Sequence, residues 1–451
     1  MTNPPNDGAA APTLERWDRD HFWHSFTQMQ EYTPLVIERA KGVWLQTIDG
    51  RRLLDAASSI WCNVHGHNHP AINAAVAEQL GLVAHCTSLG MGCDTTIRLA
   101  KRLAELAPGC LNRVLFSSDG SSAVEVALKA AFQYWRQRAE PQTQRTKFLA
   151  FGQAYHGDTI GAASLGGIDR FHAVFAPLLF EAVRSPLPDA HNLPPGVAAG
   201  EAADHYLSQV AGLMAEHAGE IAAVVIEPLV QCAAGMVMHP PGFLFGLRRL
   251  CDEHDVLLIA DEVAVGFGKT GAMFACEQEA VTPDFLCLGK GLTGGYLPMA
   301  ATITSDEIYE AFLGPAASDR QLYHGHTFCG NPLAAAALAS IDLFESDALL
   351  DSLPEKFARI AEHFDRLLDH RAVTSVRQRG MIAAAELAPD AEGRSIGRQV
   401  ASLALQRGIW LRPQPDRVYV MPPLSISLEE IDHLMGVIGD AIDAATAVPS
   451  V

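Results

Sequence analysis

The feature that most constrains the fold is a series of short apolar runs in the middle of the chain. They occupy residues 114–117, 148–151, 222–227, 256–261, 285–288 and 299–304. Longer segments with helical periodicity lie between them, such as 122–138 and 242–254. Strands buried on both faces are apolar at nearly every position, and their alternation with helices is typical of a parallel sheet wrapped by helices. The sequence therefore predicts an α/β fold with a mostly parallel sheet.

After about residue 340 the pattern changes. Helical segments around 354–370 and 395–407 are followed by short strands at 409–412 and 418–421, and then by a last helix. This order predicts a smaller α+β domain in residues 341–451, which residues 1–75 are expected to join. Residues 76–340 would then form the large domain.

The charge balance limits the partners. The 451 residues include 52 acidic and 33 basic side chains, which leave a formal net charge of −19. Such a surface repels nucleic acid and anionic membranes. We therefore expect neither as a partner, and instead a small molecule or another copy of the chain.

The nine cysteines are scattered singly, without a CxxC pair. This spacing indicates neither a disulfide framework nor a zinc ribbon, and it favours a reducing compartment. The first twenty residues are polar and acidic, without the apolar segment of a signal peptide. The expectation is a cytoplasmic protein.

Asp261 and Lys290 each follow an apolar run, in VLLIAD and FLCLGK. Ligands of open α/β sheets bind at the carboxyl ends of the strands. A lysine there can form an imine with a pyridine aldehyde cofactor, while a carboxylate keeps the ring nitrogen protonated. Val263 alternates with Asp261 and would face the same ring. Alternatively, Lys290 is a strand-end residue beside a glycine turn and Asp261 a loop acid, but the pair together favours the cofactor.

Asp119, Gly120, Ser121 and Ser122 lead from a strand directly into a helix. Backbone N–H groups at a helix start bind phosphate well, although an ordinary N-cap has the same pattern. Tyr155 follows the run 148–151 and could stack on a flat cofactor or simply pack against the loop.

Two motifs suggest other classes of protein. GFGKTG, around Lys269, resembles the end of a nucleotide-binding P-loop, but Val263 stands where that motif requires glycine. His65, His67 and His69 would share one face of an extended segment and could bind zinc, or could form local hydrogen bonds in a turn before Pro70. An ATPase and a zinc protein thus remain alternatives, and both are disfavoured.

Taken together, the motifs resemble the class III aminotransferases, which are fold-type I enzymes that use pyridoxal 5'-phosphate. The resemblance extends from Phe22 to about Met435. The segments that carry it are together highly specific: WHSFTQM, SSIWCNVHGHNHP, DGSSAVEVALKAAFQYW, YHGDTIGA, IEPLVQCAAGM, DEVAVGFGKTG, LGKGLTGGYLP, HGHTFCGNPLA and WLRP…VYVMPP. Within the family, the segments are most similar to the branch that converts 8-amino-7-oxononanoate to 7,8-diaminononanoate in biotin synthesis. Another ω-amino-acid or diamine aminotransferase, and an aminomutase, are the alternatives.

The resemblance implies a role for each matching residue. Lys290 would be the Schiff-base lysine and proton carrier, and Asp261 would pair with the ring nitrogen. The other cofactor-binding residues would be Gly120, Ser121, Tyr155, His326 and Thr327, of which the last two would act across a homodimer. Those at the substrate would be Phe26, Ile60, Trp61, Tyr155, Asp158, Gly325 and Arg412, with Arg412 on the carboxylate of the oxo acid. Glu227 and Gln231 would orient groups around the cofactor. No metal is implied.

Three positions depart from the family pattern. Phe26 replaces a tyrosine, and Ile60 replaces the first of two tryptophans, in the enzymes that take their amino group from S-adenosylmethionine. Both changes disfavour S-adenosylmethionine as the amino donor, and the stretches FTQM, NVHGH, GDTIGA and HGHTF resemble a branch of the family that uses L-lysine. Lys269 stands where the family usually has arginine.

Overall fold

The computed structural model describes residues 11–390 and 392–447. The α-helices are α1 Ala11–His21, α2 Ser58–Trp61, α3 Pro70–Leu82, α4 Asp94–Leu106, α5 Gly120–Gln137, α6 Ile160–Leu165, α7 Asp169–His172, α8 Ala202–Glu216, α9 Phe243–Glu253, α10 Asp306–Glu310, α11 Ala335–Ser346, α12 Leu353–Leu367, α13 Gly397–Gln406 and α14 Leu428–Thr446. The strands are β1 Ile37–Lys41, β2 Trp44–Thr47, β3 Arg52–Asp55, β4 Leu111–Ser117, β5 Lys147–Phe151, β6 Val183–Ser185, β7 Ile221–Ile226, β8 Val230–Gln231, β9 Val237–Met238, β10 Leu257–Asp261, β11 Phe285–Leu288, β12 Ala300–Ser305, β13 Val373–Arg379, β14 Ile382–Leu387, β15 Ile409–Trp410 and β16 Arg417–Val420. None of the helices in the described residues combines the length and apolar character that a bilayer span requires.

The central sheet has seven strands in the order β4-β12-β11-β10-β7-β5-β6. Strands β10, β11, β7, β5 and β6 pair in parallel, whereas β12 is antiparallel to both of its neighbours. Every residue of β7, β10 and β11 is buried, as strands covered by helices on both faces must be. The predicted mostly parallel sheet is confirmed, with one reversed strand.

Successive residues of β7 face opposite layers of the core, as the pleat of a strand requires. Ala223 and Val225 pack with the buried face of α5, including Trp135, whose Nε1 donates to the Ala222 carbonyl at 2.8 Å. Val224 and Ile226 belong to the cluster on the other face, which includes residues of α8 and α9. The sheet is therefore the middle of three layers.

The N-terminal strands and a strand from the end of the chain share one sheet, in the order β1-β2-β3-β15. Strand β15 pairs with β3 in parallel, with Ile409 opposite Leu54. Within residues 373–420, a separate antiparallel sheet has the order β13-β14-β16. Helix α12 packs against β13 and β14, and α13 packs against β15 and β16. The domain boundaries at residues 75 and 340 stay a prediction.

Side-chain caps fix the starts of two helices that matter for the site and for the C-terminal region. Asp119 precedes α5, and its Oδ1 accepts from the Ser122 N–H at 2.9 Å. Ser427 and Glu430 form a reciprocal capping box at the start of α14. Each cap satisfies N–H groups that lack an acceptor within the helix.

Candidate active site

Asp261 and Lys290 come together because their strands are neighbours. Asp261 is the last residue of β10, which pairs in parallel with β11, and Lys290 lies just past the end of β11. Both side chains line a cavity of about 530 Å³ at this edge of the sheet. The remaining lining residues are Trp61, Cys62, Ser118, Asp119, Gly120, Ser121, Tyr155, His156, Gly157, Glu227, Val263, Ala264, Gly295, Tyr296, Leu297, Pro298 and Met299.

The Asp261 carboxylate is buried and is held by two donors. His156 Nδ1 lies 2.7 Å from Asp261 Oδ2, and the Val263 N–H donates to Oδ1 at 3.1 Å. These bonds fix the orientation of the carboxylate toward the cavity. Sequence reasoning missed His156, although it lies in the segment YHGDTIGA, five residues after the end of β5.

Glu227 follows the end of β7, and its side chain is buried. Its two carboxylate oxygens accept from the Tyr155 and Cys232 N–H groups, each at 3.1 Å. Burial raises the pKa of Glu227 to about 7; His156 opposes this rise and Asp261 adds to it. Gln231 lies outside the lining of the cavity and instead donates to the Gly152 carbonyl at 3.0 Å.

The start of α5 forms a cradle at one side of the cavity. Gly120 and Ser121 are its first residues, where helix N–H groups have no internal acceptor. A Cβ on Gly120 would lie 2.6 Å from Val263 Cγ1, and one on Gly157 (φ +119) would collide with the Ser121 side chain. The cradle is thus open only because these positions are glycine, and its N–H groups and positive helix end suit an anion such as phosphate.

Tyr155 covers another side of the cavity. Its hydroxyl donates to Asp158 Oδ2 at 2.8 Å, and the Asp158 N–H donates to Ser121 Oγ at 3.3 Å. Burial, together with the Asp158 carboxylate, raises the pKa of Tyr155, so the phenol stays protonated at neutral pH. The ring of Phe171 lies 6.1 Å from Tyr155 and 5.2 Å from Phe26. Phe26 therefore contacts Phe171, and Phe171 in turn contacts Tyr155 of the cavity wall.

Two cationic side chains lie close to the ring of Trp61. The centroid of the Trp61 ring is 4.9 Å from Lys290 Nζ and 5.7 Å from Arg412 Cζ, distances at which a cation is attracted to an aromatic face. Its Nε1 also donates to the Tyr419 hydroxyl at 3.3 Å. Ile60, the neighbouring residue, packs against the core instead of lining the cavity.

The loop that carries Gly325, His326 and Thr327 lies outside the lining of the cavity. Gly325 and Thr327 are exposed. His326 Nδ1 lies 3.2 Å from Ser118 Oγ, and Ser118 does line the cavity. The action of His326 and Thr327 across a dimer stays a prediction.

The residues of the P-loop-like motif and of the histidine run, which suggested an ATPase or a zinc protein, form hydrogen bonds within the chain. Lys269 is buried, and its Nζ donates to Ser58 Oγ and to the Asn63 carbonyl. Nε2 of His65 bonds to Ser340 Oγ, and Nε2 of His67 to Asp55 Oδ2, each at 3.0 Å. Within residues 11–390 and 392–447, no three His, Cys, Asp or Glu side chains are grouped to hold a metal ion.

The chain is similar to known proteins in both sequence and fold. Residues 26–442 match the model of the family described as aminotransferase class-III. A relative from Geobacter sulfurreducens named adenosylmethionine-8-amino-7-oxononanoate aminotransferase is 48% identical over 96% of this chain and 98% of its own. The crystal structure of the Methanocaldococcus jannaschii protein of that name is 41% identical and superposes with a TM-score of 0.90 over 96% of this chain and 99% of that one. An (S)-enantioselective omega-transaminase from Thermomicrobium roseum is 32% identical, with a TM-score of 0.92 over 97% of this chain and 99% of that one.

Proposed function

This chain belongs to the class-III aminotransferases, and from that premise we propose that it aminates 8-amino-7-oxononanoate to 7,8-diaminononanoate in biotin biosynthesis. The observation that carries the proposal is the meeting of Lys290 and Asp261 at one cavity, beside the helix start at Gly120. The choice of acceptor rests on the name shared by relatives that cover nearly the full chain.

The cavity fits pyridoxal 5'-phosphate, the cofactor of the family. When bound, the cofactor supplies a conjugated pyridine ring that takes up the electrons of the bond broken at the amino carbon. The N–H groups of Gly120 and Ser121 would hold the phosphate, and the Asp261 carboxylate would hold a proton on the ring nitrogen. Gly120, as a glycine, keeps the space beside Val263 open.

Lys290 Nζ would hold the cofactor and move the proton. It would take a proton from the amino-bearing carbon of the donor and return one to the carbon that receives the amino group. Lys290 has φ +36, a left-handed conformation that is unusual for a side chain other than glycine. Such strain is common at functional sites, where the surrounding structure holds it.

Arg412 would bind the carboxylate of the acceptor. A guanidinium donates two parallel hydrogen bonds to a carboxylate, and the Trp61 face beside Arg412 would cover the aliphatic part of the acceptor. Tyr155 and Asp158 would border the other side of this pocket, with Gly325 completing it. Phe26 and Ile60 would shape the donor end.

The amino donor is either S-adenosylmethionine or L-lysine. The names of the relatives favour S-adenosylmethionine, whereas Phe26 and Ile60 favour L-lysine because they remove a phenol oxygen and a large flat surface. The experiment is to add each donor to the cofactor-loaded protein, follow the loss of its visible absorption band, and then add 8-amino-7-oxononanoate. We expect recovery of the band and 7,8-diaminononanoate by mass spectrometry.

A Lys290→Ala variant is the control in this assay and should give no repeated cycle. If neither donor leads to 7,8-diaminononanoate, the proposed acceptor is wrong. Amination of other ketones or aldehydes would then favour the second candidate, an ω-amino-acid or diamine aminotransferase. The similarity to the omega-transaminase of Thermomicrobium roseum is the observation that favours it.

We also propose that the enzyme works as a homodimer with shared active sites. Large apolar side chains are exposed in residues 82–97, including Leu89 at 81% and Met91 at 61%. Phe328 is also exposed, and its ring lies against that of His85 with centroids 4.8 Å apart, so the loop of His326 and Thr327 adjoins the same surface. Exposed apolar surface of this kind is typical of subunit contacts. Sedimentation analysis tests this, and a monomer with full activity would contradict it.

The cytoplasm is the proposed compartment. All nine cysteines are free, which is usual where thiols are kept reduced. Fractionation of the source cells, with an antibody against the protein, should recover it with cytoplasmic markers. Recovery with an extracytoplasmic fraction would contradict the proposal.

A further inference from the structure

The short helix α2 is a single turn of left-handed backbone. Its four residues, Ser58, Ser59, Ile60 and Trp61, have φ values of 49°, 47°, 66° and 70°. This conformation brings Cβ close to the following carbonyl oxygen, and it is least favourable for a β-branched residue such as Ile60. A run of four such residues persists only where neighbouring groups hold it in place.

Asp55 is one of the groups that hold this turn. Its carboxylate is fully buried and accepts from the Ser59 N–H at 2.9 Å and from Ser59 Oγ at 2.8 Å. His67 Nε2 lies 3.0 Å from the same carboxylate. Asp55 therefore fixes the middle of the left-handed turn.

Lys269 bonds to the start of the turn and to the chain just after its end. Its side chain is 1% exposed, and Nζ lies 3.1 Å from Ser58 Oγ and 2.8 Å from the Asn63 carbonyl. Ser58 Oγ in turn donates to the Met421 carbonyl at 2.6 Å. The ammonium thus connects the first residue of the turn to the chain that leaves it.

Lys269 keeps its charge at neutral pH despite its burial. Burial lowers the pKa of Lys269 to about 8, while Cys62, Asp55 and Cys232 oppose this change. An ammonium donates stronger hydrogen bonds than a neutral amine.

The left-handed turn carries Trp61 into the active site. The Trp61 ring contacts Lys290 Nζ, Arg412 and Tyr419 at the distances given above. A displacement of the turn would therefore move the Trp61 ring. Lys290, the proposed proton carrier, and Arg412, the proposed carboxylate-binding residue, both lie against that ring.

We propose that Lys269 is a positioning residue for the aminotransferase reaction: through Ser58 and the Asn63 carbonyl it fixes the left-handed turn, and through that turn it fixes Trp61 against Lys290 and Arg412. The inference rests on the proposed function, which supplies the roles of Lys290 and Arg412. It also gives a function to the lysine that replaces the usual arginine of the family.

The test compares Lys269→Met, which removes the donors, with Lys269→Arg, which keeps the charge and the donors. Lys356→Met is the matched control: Lys356 is only partly buried, whereas Lys269 is fully buried, but it too donates to a backbone carbonyl, that of Leu424 at 2.6 Å. The first readout is the pH at which the visible absorption of the cofactor-loaded protein titrates, measured without substrate. The second is the separate change of KM and kcat for the oxo acid.

For Lys269→Met we expect the spectral midpoint to move by about half a pH unit, because the Trp61 face shifts away from Lys290 Nζ. We expect KM to rise about 10-fold or more, because two hydrogen bonds from a charged donor are lost. Lys269→Arg should restore most of both values, and Lys356→Met should match the parent. Lys269→Met with the parent's midpoint and KM, or Lys269→Arg no better than Lys269→Met, would overturn the proposal.

If Lys269→Met does not fold, Ser58→Ala serves instead, because it removes one acceptor and leaves Lys269 in place. It should change both readouts in the same direction and by less, and parent values for both would count against the proposal. The spectral readout needs no substrate. A positive spectral result together with failure to aminate 8-amino-7-oxononanoate would therefore disprove the proposed acceptor while leaving the positioning role supported.

Discussion

His156 donates from Nδ1 to Asp261 Oδ2 at 2.7 Å, and both side chains are buried at the carboxyl edge of the central sheet. Because β5 and β10 are separated in the sheet only by β7, residues distant in sequence form one hydrogen-bonded pair. The carboxylate that would hold the proton on the cofactor ring is therefore oriented by an imidazole.

Removal of that donor should weaken the site. We expect His156→Leu to lower kcat/KM and the affinity for the cofactor by about 10-fold, because a hydrogen bond to a charged acceptor is lost. His156→Asn places an amide N–H near the position of Nδ1 and should retain most of both values. Steady-state kinetics and fluorescence titration with cofactor measure the two. Equal losses of kcat/KM and cofactor affinity in both variants would show that the hydrogen bond to Asp261 does not cause the effect.

Replacement of Lys290 should separate binding from turnover. Lys290→Ala should still bind the cofactor through the helix start at Gly120 and through Asp261, but it should complete no repeated cycle, because Nζ no longer moves the proton. Borohydride should also no longer fix the cofactor to the chain. Mass spectrometry and a multiple-turnover assay measure these effects. Lys101→Ala, at an exposed site on α4, is the control, and repeated turnover by Lys290→Ala would refute the assignment.

The cradle depends on the absence of one Cβ. Gly120→Ala would place that atom 2.6 Å from Val263 Cγ1, and overpacking of this kind costs about 1–3 kcal/mol. We expect cofactor affinity to fall by about 10-fold. Gly439→Ala, on α14 where an added Cβ has nothing within 4 Å, should instead raise the free energy of unfolding by about 0.5–1 kcal/mol. Unchanged cofactor affinity in Gly120→Ala would argue against the cradle.

Arg412 should control the affinity for the acceptor. Arg412→Ala should raise KM for the oxo acid by about 10- to 100-fold, because a charged hydrogen-bond donor to the carboxylate is lost. Arg412→Lys should recover little, since an ammonium cannot reproduce the paired geometry of a guanidinium. Arg407→Ala is the control, because the Arg407 side chain is exposed and donates to its own helix. A normal KM in Arg412→Ala would place the carboxylate elsewhere.

Glu262 should make stability depend on pH. Its buried carboxylate accepts from the N–H groups of Ala275 and Cys276 at 2.6 and 2.8 Å. Burial raises the pKa of Glu262 from 4.5 to about 7, and the two N–H donors oppose that rise. Between these values the folded state binds more protons than the unfolded state. The stability that this proton contributes is thus fully present below pH 4.5 and is lost as the pH rises through about 7.

Glu262→Gln removes this titration. Urea unfolding between pH 4.5 and 8 should therefore show a shallower decline of the free energy of unfolding in Glu262→Gln than in the parent protein. Glu279→Gln is the control: its carboxylate also accepts from two backbone N–H groups, those of Gly242 and Phe245, but at exposed sites. Parallel pH curves for the parent and Glu262→Gln would contradict the shifted pKa.

Six of the seven strands of the central sheet could be predicted because buried strands are apolar on both faces, and the predicted runs differ from these observed strands by only a few residues. The three-residue edge strand β6 was not predicted. The direction of β12 could not be predicted, because a short apolar run is compatible with a parallel and with an antiparallel strand. The pair β13–β14 was missed for a different reason. Five of the seven residues of β13 (VTSVRQR) are polar, and β14 is rich in alanine, so neither has the composition of a buried strand.

Within the site, Asp261 and Lys290 were found because each ends a strand, and that edge of a parallel sheet is where ligands bind. His156 also follows a strand, but in that segment it is the aromatic ring of the neighbouring Tyr155 that indicates contact with a flat cofactor. The left-handed turn could not be found at all. Four residues without a glycine gave no sign of positive φ, because tertiary contacts from Asp55 and Lys269 impose that backbone.

The parallel pairing of β15 with β3 has a consequence for synthesis of the protein. Leu53 and Leu54 of β3 are fully buried in the finished enzyme, yet the strand that pairs with β3 contains Ile409 and Trp410. While the ribosome makes the intervening residues, β3 therefore has an unpaired edge, which other chains can join. The sheet that contains β3 is completed only after Ile409 and Trp410 have been made, so a chain stalled before them would expose an unpaired strand edge at which chains can aggregate.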